Sequence, residues 1–168
     1  MQKTTKITLT IFFLLIIAVI PLYYYTHPDT NQPEGTLQIR GNVNNPINLT
    51  LAQMKTYQPV TVSVSLSSSG NPEENGVYSY TGITLQELLN QTEIRGEVKT
   101  IFIQASDGYG TTLTIQEAQK QNTVIAYQKD GLALSALKDG GEGPLRLIIG
   151  DDEYAQRWIR GVTIIEVN

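Results

Sequence analysis

Cysteine is absent from the 168 residues, and histidine occurs once, as His27. The first absence excludes disulfides, thiolate-bound zinc, iron–sulfur clusters and cysteine nucleophiles together. It leaves the redox compartment open, because a domain with an adequate core folds outside the cell without a disulfide. The second absence excludes a Ser–His–Asp hydrolase and a multi-histidine metal centre, since each needs imidazoles this chain lacks. His27, between an apolar run and Pro28, reads as a solvated linker residue. Charge is also scarce: 17% of residues are charged against 40% hydrophobic, the balance of a folded domain rather than a disordered chain. The net charge is −4, and the only charges before Thr26 are Lys3 and Lys6, so subtracting those two cations leaves −6 for the remainder. No basic stripe relieves that sign. A surface that repels phosphate backbones argues against nucleic-acid binding.

What is present begins with an uncharged apolar run, Ile7 to Leu22, followed by Tyr23-Tyr24-Tyr25. Together these make about 19 residues, near the roughly 20 a helix needs to cross a bilayer. Lys3 and Lys6 on the short side predict a cytoplasmic N-terminus, and the tyrosines suit the far interface. Ala18-Val19-Ile20-Pro21 lacks the small-residue spacing of a signal-peptidase site, which favours an uncleaved anchor over a removed signal. The expected organisation is an anchor or signal over 1–25, a proline-rich polar linker over 26–35, and one exported domain over 36–168. A domain of roughly 130–140 residues buries about two-thirds of its unfolded surface, enough for one core.

Within the domain, short β-rich runs alternate with short helices. The strand candidates are Leu37–Val43, Val60–Leu66, Val77–Tyr80, Thr100–Ala105, Tyr109–Leu113, Val124–Lys129, Leu145–Ile149 and Val162–Val167. Val60, Val62, Val64 and Leu66 alternate with Thr61, Ser63 and Ser65, the period of a strand with one buried face. Leu145–Ile149 and Val162–Val167 are denser in apolar residues and read as central. Thr50, Thr84 and Thr114 each open a T-x-x-Q/E capping box, in which the hydroxyl and the later side chain satisfy each other's backbone amides. Behind the second box, Leu85, Leu88 and Leu89 form one apolar stripe. Asp130-Gly131 marks a hairpin, and Lys138–Pro144 (KDGGEGP) is a glycine-rich loop. The run Asp151-Asp152-Glu153 carries oxygen ligands for a hard cation, but reads first as an acidic loop. The class is α+β.

Several segments, taken in order, resemble the molybdopterin-binding domain of the sulfite oxidase family of oxidoreductases. They are LSSSGN (Leu66–Asn71), YTGITLQELL (Tyr80–Leu89), DGYG (Asp107–Gly110), GPLRLIIG (Gly143–Gly150) and RWIRGVTIIEV (Arg157–Val167). The resemblance implies a mixed-sheet, partial-barrel fold with short helices, here preceded by one transmembrane helix. It also implies a cofactor in which molybdenum is held by a pterin dithiolene and one protein thiolate. Ser68 stands where that thiolate belongs, so it is the only protein metal ligand the resemblance offers. The cofactor-binding positions it implies are Ser68, Gly70, Asn71, Tyr109, Arg146 and Arg157, the last beside the cofactor phosphate.

Two departures shape the functional expectation. A hydroxyl titrating far above neutrality is a poor substitute for a soft thiolate. The family's N-terminal arm, with its Arg-Asn-His segment closing over the pterin, has no counterpart after His27. The expectation is therefore a degenerate, extracytoplasmic ligand- or partner-binding module on this frame, with no molybdopterin bound and a membrane or redox protein as partner. The competing reading is an active molybdopterin-dependent oxidoreductase of small substrates that uses Ser68 or no protein ligand. A Ser68 hydrolase fails for want of a histidine base. Arg146, a cation inside an apolar strand, must have a buried partner.

Overall fold

The computed structural model describes residues 8, 12–21, 35–67, 70 and 72–168. The chain separates into two units, Met1–Asn31 and Gln32–Asn168. In the first, residues 12–21 are helical, and Phe12, Phe13, Leu14 and Leu15 are exposed. Among the described residues, no helix is long and apolar enough to cross a membrane. Most of the remainder of the apolar run, including the tyrosine triplet, lies outside the described residues, as do Ser68 and Asn71.

The second unit holds two five-stranded sheets. The first has the order β2 (Ile47–Thr50), β1 (Thr36–Gly41), β10 (Val162–Val167), β5 (Thr100–Ala105), β6 (Gly110–Thr114). Only β1 and β10 run parallel, with Gln38 opposite Ile164. The second sheet has the order β3 (Val60–Leu66), β4 (Gly76–Thr84), β7 (Thr123–Lys129), β8 (Leu132–Ala133), and β9 (Arg146–Ile149) also pairs with β7. The two apolar-dense strands are indeed interior. All four residues of β9 are buried, and β10 lies between two neighbours in the middle of its sheet.

The alternation in β3 is real but only half used: Val64 and Leu66 are buried, while Val60 and Val62 are half-buried at the other end. The predicted strand Val77–Tyr80 is longer, continuing to Thr84 through a register shift between Thr81 and Gly82. A Cβ at Gly82 would strike the Ile125 carbonyl, so the shift sits where the backbones approach most closely. Strand β2 was not among the expected strands. Its Ile47, Asn48, Leu49 and Thr50 pair with β1 in the stretch immediately before the first helix.

The helices are α1 (Leu51–Met54), α2 (Leu85–Asn90) and α3 (Ile115–Ala118). Thr50 and Thr114 form complete capping boxes with Gln53 and Glu117. Thr84 makes only the first half: its hydroxyl accepts from Glu87 N, while the Glu87 carboxylate accepts instead from Gln91 Nε2 at 2.8 Å. A donor on the next turn of the helix has competed successfully for that side chain. Leu85, Leu88 and Leu89 are all buried, each contributing about 1.5–3 kcal/mol of burial. At the hairpin, Asp130 and Gly131 have φ of 50° and 79°, the left-handed pair that a two-residue turn requires.

Candidate functional site

Three stretches of backbone converge at one end of the second sheet. Arg146 on β9 bridges Arg160 in antiparallel fashion, Leu147 N donates to Ile159 O at 2.8 Å, and Val162 N donates to Leu145 O at 2.9 Å. Directly opposed residues project to the same face, so this short ladder brings two guanidinium groups together. The segment after β3 joins them through Ala155 N, which donates to Ser67 O at 3.3 Å.

Arg146 is 1% exposed. Its Nη1 donates to Tyr80 Oη at 2.9 Å and to the Glu142 carboxylate. Lys129 Nζ donates to the other carboxylate oxygen at 3.2 Å, and Tyr80 Oη donates to Glu142 at 3.4 Å. The guanidinium carbon lies 5.4 Å from the centroid of the Tyr80 ring and 5.7 Å from that of Trp158. Those two rings meet edge to face at 6.1 Å. Trp158 is fixed in turn by its indole N–H, which donates to Ile149 O at 3.1 Å. The partner that the sequence demands of Arg146 is thus Glu142, four residues earlier and itself only half-buried. One atom is left over: Arg146 Nε is buried with no hydrogen-bond partner.

The electrostatics follow from this packing. Burial pushes the Tyr80 phenol well above its ordinary range, against the opposing pull of Arg146, so it remains a proton donor. Burial also pushes Glu142 up, but Arg146 and then Lys129 outweigh it, and the carboxyl is held below its usual value.

A cavity of about 180 Å³ opens beside Arg146, lined also by Leu66, Ser67, Gly70, Trp158 and Arg160. A second, of about 290 Å³, lies against Asp107, Tyr109 and Leu137 and shares Trp158 and Arg160 with the first. Of the site residues expected from the sequence, Gly70 and Arg146 line the first cavity and Tyr109 the second. Arg157 lines neither. Its Nε and Nη2 donate to Asp152 at 3.0 and 2.5 Å, and Nη2 also donates to Glu117 at 2.9 Å. The hydrogen bonds it donates, to Asp152 first and then to Glu117, hold Arg157 further above its ordinary pKa. The cation facing the cavities is instead Arg160, whose Nη2 donates to Glu74 at 2.8 Å. The acidic run is spent on the same surface pairs: Asp151 accepts from Lys120 at 2.8 Å and Asp152 from Arg157. Among the described residues, no group of three or more His, Asp or Glu side chains is placed to hold a metal ion.

Sequence reasoning missed Glu142 and Tyr80 and read Arg160 only as a surface cation. Glu142 did carry a signal, as the sole side chain in G-G-E-G shortly before a cation that needed a partner.

Comparison with known proteins agrees with this geometry. No curated protein matches the sequence. Among solved structures, the sulfane dehydrogenase SoxCD from Paracoccus pantotrophus is similar in fold, with a TM-score of 0.66 at 18% identity. The match covers 83% of this chain but only 40% of that one, so the chain spans well under half of its structural relative. The family model described as the oxidoreductase molybdopterin binding domain matches residues 24–168. With two sheets of the expected kind and nearly the whole chain matched, this protein belongs to the oxidoreductase molybdopterin-binding domain family.

Proposed function

We propose that this domain is a binding module on the molybdopterin-binding frame that carries no molybdenum chemistry. The observation that bears most weight is the donor set. The family's metal takes a protein thiolate, and no cysteine exists anywhere in the chain. A serine hydroxyl at position 68 would have to be deprotonated far below its ordinary pKa to substitute for a soft ligand. The cations tell the same story. The two arginines lining the first cavity each hold a carboxylate of this chain, Arg146 with Glu142 and Arg160 with Glu74. An anionic cofactor bearing a phosphate would have to displace those carboxylates or bind beside them. The residues present do not fit the group, and no reaction step is assigned to it.

We further propose that the module is held at a membrane surface, extracytoplasmic, by the segment preceding it. The support is the uncharged run Ile7–Leu22 with cations on its short side, and the exposed apolar side chains at Phe12 to Ile17. A membrane or redox protein is the natural class of partner for a domain so placed.

One preparation tests both readings. The full chain is made in a host that synthesises the molybdenum cofactor, and membranes are washed with alkaline carbonate before the protein is solubilised and purified. The expected result is retention in the washed membrane, with molybdenum and pterin far below one per chain. Stoichiometric metal would establish the competing reading, an active oxidoreductase using Ser68 or no protein ligand. Release by carbonate would remove the anchor. Ser68→Cys in the same host is expected to raise molybdenum retention only if the pocket still admits the cofactor.

A further inference from the structure

From Gly140 to Gly143 the chain carries a single side chain, that of Glu142. The backbone around it is clamped. Gly141 N donates to Ala136 O at 3.0 Å, Gly143 N donates to Ser135 O at 2.8 Å, and Gly161 N donates to the Glu142 carbonyl at 3.2 Å. A Cβ on Gly141 would collide with the Ser135 backbone, and one on Gly143 with Leu134. Glycine on either side is what lets the loop lie this close to its neighbours. Glu142 is therefore delivered to a fixed place, where its carboxylate accepts from Arg146, Lys129 and Tyr80 at once.

Arg146 lines the cavity and Glu142 does not, so the carboxylate takes up the guanidinium that an anion in the cavity would need. On the reading that the cavity does not hold molybdopterin, we propose that Glu142 sets the selectivity of the cavity: it is a built-in carboxylate that occupies Arg146, turns anions away and leaves the cavity to an uncharged ligand. Arg160 is paired with Glu74 at the more exposed side of the cavity, and the Glu74 carboxylate itself lines the wall. A molecule entering beside Leu66 and Trp158 meets an apolar side chain, an aromatic ring, small polar groups and the Glu74 carboxylate, with both lining guanidiniums already paired. An anion meets no unpaired cation there to offset its lost hydration, and the one unpartnered donor, Arg146 Nε, is itself buried.

The test uses the full chain with sulfate as the probe, followed through the Arg146 Nε–H resonance and thermal melting, with chloride at matched ionic strength as reference. In the unaltered protein neither signal is expected to respond to sulfate beyond the chloride effect. In Glu142→Gln the resonance is expected to shift saturably, with sulfate bound at least about tenfold tighter, and the gain is expected to vanish in Glu142→Gln/Arg146→Gln. The proposal is overturned if the unaltered chain binds sulfate at Arg146 as tightly as the variant, or if folded Glu142→Gln gains no affinity. Should Glu142→Gln fail to fold, Glu142→Asp draws the carboxylate back while keeping the charge. An intermediate gain is then expected, and none at all overturns the proposal. Molybdenum and pterin content of the same samples reports separately on the functional reading, so the two can fail independently.

Discussion

Arg146 and Arg157 lie eleven residues apart, and each guanidinium is held by carboxylates, yet their settings differ in almost everything else. The Arg146 side chain is 2% exposed, beneath two aromatic rings, and its carboxylate comes from a clamped loop. The Arg157 side chain is 38% exposed, and its partners are Asp152 on the adjoining turn and Glu117, which also caps α3 through Thr114. The chemistry of the two pairs is the same, so the contrast isolates what burial does. In the first pair the guanidinium depends on the carboxylate, because it cannot fall back on water. Around Arg157, water stands ready to take the place of the guanidinium's partners.

The sharpest way to break this comparison is to remove one member of the buried pair. Glu142→Leu leaves Arg146 uncompensated in a dry environment and is expected to cost about 3–5 kcal/mol, read from the urea midpoint at unchanged slope. Glu142→Leu/Arg146→Met should recover most of that loss, since apolar groups then face one another. If the double variant is no better than the single, the cost does not come from the stranded charge. Acid titration gives a smaller effect. Glu142 and Glu117 are both held below their ordinary range. Their contributions are therefore fully present above the ordinary carboxylate range and are lost as pH falls through the depressed folded values. Glu142→Gln should flatten the acid limb of the stability profile, and an unchanged limb would show that other carboxylates govern it. Smallest of all, Arg157→Met is expected to shift stability by about 1 kcal/mol or less, and a loss comparable to that of Glu142→Leu would erase the distinction drawn here.

Much of the frame was legible in the sequence because it depends on local periodicity. The boundaries of β3 and β5 follow directly from alternating apolar residues, and those of β10 from its apolar density. The Thr50 and Thr114 caps follow from a three-residue spacing that brings side chain and amide together. The Thr84 box reads identically in sequence yet closes only halfway, because nothing at that spacing reveals the competing Gln91 amide. The site was harder to read for the same reason. Tyr80, Lys129, Glu142 and Arg146 come from different strands and a loop, and only the sheet pairing assembles them. The position of Arg157 before a tryptophan carried it into the expected site, but position in the sequence says nothing about the carboxylates that pair with its side chain. Arg160 is the better-placed cation because the bridge to Arg146 fixes its face.

The brief ladder between residues 145–147 and 159–162 has a bearing on how the molecule comes apart. It is a seam: one side belongs to the second sheet through β9, while the other runs straight on into the central strand of the first. Opening either sheet at that margin pulls on the other, so the amides of Leu147 and Val162 should exchange with solvent only when the whole unit unfolds. The cavity abuts that seam, and an occupant bound there would slow the loss of both sheets together.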